Sequence, residues 1–142
     1  MKKLTTLLLL AASTITFAGN NAAGVRLKTN LSGSAIAGIT PNGHVEYRQD
    51  DKNRNRFTVE VENVNLPVGT VLTVHVLQGT TEVAISPSQI TLVADLDERG
   101  NRGGELELEA EHGATVPDLS KGTFTIQVNN GATTILTGAL HK

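Results

Sequence analysis

The sequence contains no cysteine and no tryptophan, and among its 142 residues it has one tyrosine and three phenylalanines. The missing cysteine rules out a disulfide framework and thiol chemistry, so stability has to come from packing. The shortage of rings leaves that packing to valine, leucine and isoleucine, because beyond residue 18 the aromatics are Tyr47, Phe57 and Phe124. It also argues against carbohydrate recognition by stacking on exposed rings. Long apolar runs are missing past the N-terminal segment, so no further stretch is long enough to cross a bilayer as a helix. There is no excess of positive charge either: twelve basic residues stand against fourteen acidic ones, a net charge of −2. That balance offers no electrostatic footprint for nucleic acid.

The N-terminus supplies the one apolar run. Met1-Lys2-Lys3 is a short positive region, Leu4 to Ala12 is apolar, and Ser13 to Phe17 extends it. Thr16-Phe17-Ala18 puts small residues at the −3 and −1 positions of a cleavage site. Together these predict a secretory signal peptide over residues 1–18, and a periplasmic or secreted product. The run is short for a spanning helix, and the lack of any following cysteine excludes a lipoprotein anchor. Lys2 and Lys3 fall in that segment, so residues 19–142 carry ten basic and fourteen acidic groups, a charge of −4. That length suits a single domain with its own core.

The clearest local pattern lies between Arg56 and Gln78. Phe57, Val59 and Val61 share one face of an extended chain, and Thr58, Glu60 and Glu62 share the other. Such period-two alternation predicts a half-buried strand. Leu66-Pro67-Val68-Gly69 predicts a turn, and Thr70 to Gln78 a second strand. That strand is apolar on much of both faces, which predicts a central position. Further strands are expected at Val25–Leu31, His44–Gln49, Glu82–Ile85, from Ile90 to Leu96, Glu105–Glu109, Thr123–Asn129 and Thr133–Gly138. Polar or glycine-rich turns separate them, including Asp50–Asn55, Asp97–Gly104 and Asn129-Asn130-Gly131. No segment has a helical period. Eight or nine short strands with regular turns predict an all-β fold, an antiparallel β-sandwich or a related barrel.

The second half of the chain echoes the first. Val59-Glu60-Val61-Glu62 corresponds to Leu106-Glu107-Leu108-Glu109, Pro67 with Gly69-Thr70 to Pro117 with Gly122-Thr123, and Val76–Gly79 to Val128–Gly131. The order is kept, which suggests an internal duplication with repeats at about 44–85 and 91–138. Each repeat would bury its apolar face against the other.

Several residue sets are candidates for chemistry. Asp51, Asn53 and Asn55 place side-chain oxygens at alternating positions, and Glu62 stands where a calcium loop supplies its twelfth residue. Arg56 replaces the glycine such a loop turns on, and a solvated hairpin loop is the plainer use of these residues. A looser cation site would need Asp50, Asp51, Asp95 and Asp97 to meet. Glu105, Glu107 and Glu109, joined by Glu60 and Glu62, form an acidic ladder able to serve as acid and base or to bind cations. The alternative is a solvated outer face whose charges are balanced by Arg26, Lys28 or Arg48. His44, His75, His112 and His141 show no metal-ligand spacing, and no serine sits in a G-x-S-x-G frame. Asn30-Leu31-Ser32 fits a glycosylation acceptor, a fortuitous match beside a bacterial-type signal peptide.

The segments LSG, GHVEYR, FTVEVENVNLPVGTVLTVHV, GELELEAEHGATVPDLSKGTFTIQV and ILTGAL, in that order, together resemble a small all-β domain of exported bacterial proteins, found singly or in tandem. The motifs LP-x-GT-x-L and GELEL are turn and strand signals, and the resemblance implies a fold without an activity or site residues. A looser likeness to the chordin-like CHRD domain is architectural. These features lead to the expectation of an exported, non-catalytic β-domain with a binding, scaffold or assembly role, without a cofactor. Its partner would be a protein or an extracellular polymer, with no nucleic acid and no membrane insertion. A calcium-dependent or polysaccharide-binding module is the alternative, and a hydrolase using paired carboxylates is the third.

Overall fold

Side-chain alternation decides which side of each strand faces water, and one inward face runs through the described strands. A computed structural model describes residues 24–94 and 102–142. The expected signal peptide, Leu96, Asp95 and Asp97 lie outside the described residues. Ten strands follow in order among the described residues: β1 (Val25–Ser32), β2 (Asn42–Gln49), β3 (Asn55–Glu62), β4 (Val71–Gln78), β5 (Thr81–Val83), β6 (Gln89–Thr91), β7 (Val93–Ala94), β8 (Arg102–Glu109), β9 (Thr123–Asn130) and β10 (Thr133–His141). A single 3-10 turn, Ala110–His112, is the only helical element among the described residues.

All pairings between these strands are antiparallel, in the order β5-β4-β9-β10-β1-β2-β3-β8-β7, with β6 also on β4. The expected two layers are thus two walls of one sheet, β4-β9-β10 and β2-β3-β8. On one side β1 links them, pairing with β2 along its length and meeting β10 at Ser32↔Thr137. On the other side the chain from Gln89 to Ala94 changes wall: β6 pairs with β4, and β7 pairs with β8. Closure of this kind leaves only short open edges, which limits edge-to-edge pairing with other chains. A glycine makes the crossing possible, since a Cβ on Gly104 of β8 would lie 2.5 Å from Ile90 Cγ2 and 3.1 Å from the Thr91 carbonyl oxygen.

The interior is aliphatic, as the composition requires. Val45, Val59, Leu72, Val76, Leu92, Ile126, Val128 and Leu140 are fully buried, together with Tyr47 and Phe57. Val64 and Leu119, both in connecting segments, plug the same core. A fully buried Val or Leu contributes roughly 1.5–3 kcal/mol, so a core of this kind replaces the absent crosslinks.

One expectation needs correction in detail. The strand that was to run from Ile90 to Leu96 is broken at Leu92, because its two halves serve different walls; the Leu92 amide donates to the Thr70 carbonyl instead. The apolar outer face of β4 is not buried: the strand is flanked on both sides as expected, yet Val71 stays 46% exposed. The turn before β4 forms at Pro67–Thr70, with the Thr70 amide donating to the Pro67 carbonyl and Gly69 at φ 86°. That is the third position of a type II turn, which needs glycine.

Candidate functional site

The loop expected to hold calcium joins β2 to β3, and the side-chain oxygens of Asp50 and Asn55 in it are engaged. Asp50 organises it: one carboxylate oxygen accepts from the Lys52 amide at 2.8 Å and the Arg54 amide at 2.9 Å, and the other pairs with the Arg54 guanidinium. Hydrogen bonds from Arg54, backbone first and then side chain, and from Lys52 hold the Asp50 carboxyl below its usual range. Asn53 takes the left-handed conformation at φ 57°, which asparagine tolerates in turns. Asn55 turns away from the loop. Its Oδ1 accepts from the Tyr47 hydroxyl at 3.0 Å and from Gln49 Nε2 at 3.0 Å.

Asp51, Asn53, Asn55 and Glu62 therefore do not converge. Asn55 and Glu62 are the two ends of β3, ~23 Å apart at the rise of an extended strand, and Glu62 accepts from Asn42 Nδ2 at 3.1 Å. The helix that would bring the twelfth residue of a calcium loop back to its start is replaced here by a strand. Among the described residues no three His, Cys, Asp or Glu side chains are grouped to hold a metal ion. Asp95 and Asp97 of the looser cation site lie outside the described residues.

The acidic ladder does lie on an outer face, but its counterions are not those expected. Arg56 on β3 bridges Glu107 and Glu109 on β8, reaching Glu109 Oε1 at 2.7 Å. Glu60 meets His44 Nε2 at 3.2 Å and stands directly opposite Glu105, a like-charged pair. Arg26 and Lys28, expected to balance the ladder, instead converge with Arg48 on Glu46, from 3.1 Å and 3.0 Å for the first two. Burial pushes the Glu46 carboxyl up, but bonds from these three cations outweigh it and bring the group down to about 2. The pairing follows strand order: β1 neighbours β2, so its cations reach Glu46, whereas β8 neighbours β3 and meets Arg56.

An open groove of about 610 Å³ lies where this wall meets the segment after β5; Arg56, Ser86, Glu107, Glu109 and His112 line it. Arg56 faces two carboxylates there, and His112 binds Glu109 through Nδ1. The groove floor is a chain of mutual ion pairs, and Glu109 sits between two basic groups. His75 similarly meets Glu82 Oε1 at 2.7 Å on the other wall.

The polar cluster that residue patterns did not single out surrounds Tyr47. Its hydroxyl lies 3.0 Å from Asn55 Oδ1 and 3.4 Å from Asp118 Oδ1. Asp118 also accepts from the Ser120 amide at 2.9 Å, and Asn55 Nδ2 donates to the Val116 carbonyl at 3.4 Å. This network fastens the 113–122 loop over the end of the barrel and seats Leu119 in the core. Burial, with the Asp118 charge adding to it, raises the Tyr47 phenol to about 12, against a lowering contribution from the Leu119 backbone. Hydrogen bonds from the Ser120 side chain and amide, then from Gln49 and Tyr47, lower the Asp118 carboxyl. The signal available in sequence was a lone leucine, Leu119, in an otherwise polar turn.

The two outer walls differ in character. Outward positions on β1, β2, β3 and β8 carry Arg26, Lys28, Glu46, Arg48, Arg56, Glu60, Glu62, Glu105, Glu107 and Glu109. Outward positions on β4, β9 and β10 carry Thr73, His75, Leu77, Thr123, Thr125, Gln127, Asn129, Thr134, Thr137, Ala139 and His141, without one Asp, Glu, Lys or Arg. Comparison with known protein families, with curated proteins and with solved structures gives no match.

Proposed function

We propose that the protein is an exported β-domain that acts by binding or assembly and not by catalysis, and that its contact surface is the uncharged wall of β4, β9 and β10. The partition of charge between the walls carries this reading. Apart from Glu82, which pairs with His75 at the β5 edge, this wall asks no counter-charge of a partner and loses little ion hydration on contact. Thr125, Thr137 and Gln127 offer hydroxyl and amide groups, each able to donate and accept. The complementary partner is neutral and rich in hydroxyls, an extracellular polysaccharide bound through many weak hydrogen bonds in place of ring stacking. The charged wall, with its ion pairs and excess of carboxylates, keeps the domain in solution while the other wall is occupied.

Co-sedimentation of residues 19–142 with insoluble neutral polysaccharides tests this. Retention is expected, lost when charge enters the wall (Thr125→Asp with Gln127→Lys) and kept in Glu105→Gln on the opposite wall. Failure to bind any neutral polymer, or a loss that follows the charged wall instead, would sink the reading.

A further inference from the structure

Strand register gives an independent check on the suggested duplication. In β3–β8 the residue directly opposite Val59 is Leu106, its own counterpart in the sequence correspondence. The flanking pairs Phe57↔Leu108 and Val61↔Gly104 turn into one another when the halves are exchanged. The same holds on the opposite wall. In β4–β9, His75 faces its counterpart Gln127, and Val76↔Ile126 exchanges with Val74↔Val128. The hairpins agree as well: Gln78↔Thr81 and Leu77↔Glu82 of β4–β5 correspond to Asn130↔Thr133 and Asn129↔Thr134 of β9–β10. Their turns start at Gly79 (φ 62°) and Gly131 (φ 58°), again counterparts.

An antiparallel pair has a local two-fold axis, and a duplicated chain places a residue opposite its own equivalent on that axis. The offset is zero on both walls for the correspondences Val59 to Leu106 and Val76 to Val128. The two halves meet as two copies do in an isologous dimer, each offering the same two strand edges, β3 with β4 and β8 with β9.

We infer that each half recognises the other half through this self-complementary pair of edges, and that the partner these edges accept is a second copy of the chain, engaged by exchanging halves. The chain passes from one half to the other only through the segment around Ser86–Gln89. Opening at that segment, with release of the β4–β6, β1–β10 and Ser86–Thr115 pairs that also join the halves, frees both edges together, and the matching edges of another molecule satisfy them with the same pairs. This surface differs from the outer wall proposed for binding and does not depend on that reading.

The absence of cysteine makes the test clean. One full-length chain carries Glu60→Cys and a second carries Glu105→Cys, positions directly opposite across β3–β8. The two are unfolded together, refolded at high concentration and oxidised. Exchange of halves brings the thiol of the Glu60→Cys chain against the thiol of the Glu105→Cys chain, so the mixed disulfide is expected to exceed its statistical share of about one half. The His75→Cys and Gln127→Cys chains report the other wall and are expected to behave alike, because the halves exchange as units. The unsubstituted chain, refolded at rising concentration, is expected to give a growing dimer fraction by light scattering. A mixed disulfide at or below the statistical share, enrichment on one wall alone, or an unsubstituted chain that stays monomeric at every concentration overturns the inference.

Discussion

At Glu46 three cations meet one carboxylate, and the effect on stability follows from the sign of its shift. The folded group titrates at about 2 against an ordinary 4.5, so its contribution is present above 4.5 and is lost as pH falls through about 2. Glu46→Gln is expected to cost roughly 1–2 kcal/mol at neutral pH after allowance for solvent screening, and to flatten the acid limb of stability between those two values, measured by urea unfolding. Tyr47 gives the opposite window. Its phenol is raised to about 12, so the folded chain keeps a proton that the unfolded chain loses near 10, and stability falls as pH rises through that interval. With one tyrosine and no tryptophan, the ultraviolet phenolate signal reports this group alone, and its midpoint is expected near 12 in the folded protein. Tyr47→Phe removes bonds to Asn55 and Asp118 and is expected to cost about 1–2 kcal/mol while loosening the 113–122 loop.

Strand elements were the most legible part of the sequence, because alternation directly records one wet face and one dry face. The β3 and β8 patterns, with Val or Leu between glutamates, predicted both strands and their inward residues. What alternation does not record is neighbourhood. Arg26 and Lys28 were assigned to the ladder on β8, but β1 lies beside β2, and the cations went to Glu46. Likewise β4 is apolar on both faces, yet a barrel offers one interior, so Val71 remains outside. Close strand contacts give an element-scale test. A Cβ on Gly43 of β2 would stand 2.4 Å from the Glu60 carbonyl oxygen on β3. Gly43→Ala is expected to cost about 2–3 kcal/mol, read as a lowered Tm, because the strand pair must separate or shift to admit it.

For the molecule as a whole, the two walls differ in charge: one carries most of the ion pairs, and strands β4, β9 and β10 of the other carry no Asp, Glu, Lys or Arg at their outward positions. The loop at one end is held by its own contacts, so millimolar calcium is expected to leave the thermal midpoint unchanged; a ligand of the folded state would have to raise it. A rise that disappears in the Asp51→Ala, Asn53→Ala variant would restore the cation-binding module. The candidate site was legible only as residue types. Asn55 looked like a ligand by spacing, and its inward rotation toward Tyr47 depends on a loop sixty residues later in the chain.

The sequence by itself determined the strands, their inward residues and a mostly aliphatic core without crosslinks, because these follow from local periodicity, turn chemistry and composition. The tertiary structure alone decided which strands are neighbours, and through that every ion pair, the closure of the sheet by β1 and the Gln89–Ala94 crossing, and the separation of charged and neutral walls. The physical reason is that pairing is set by contacts between residues far apart in the chain, where a strand's own pattern states which face is buried and says nothing of what lies beside it.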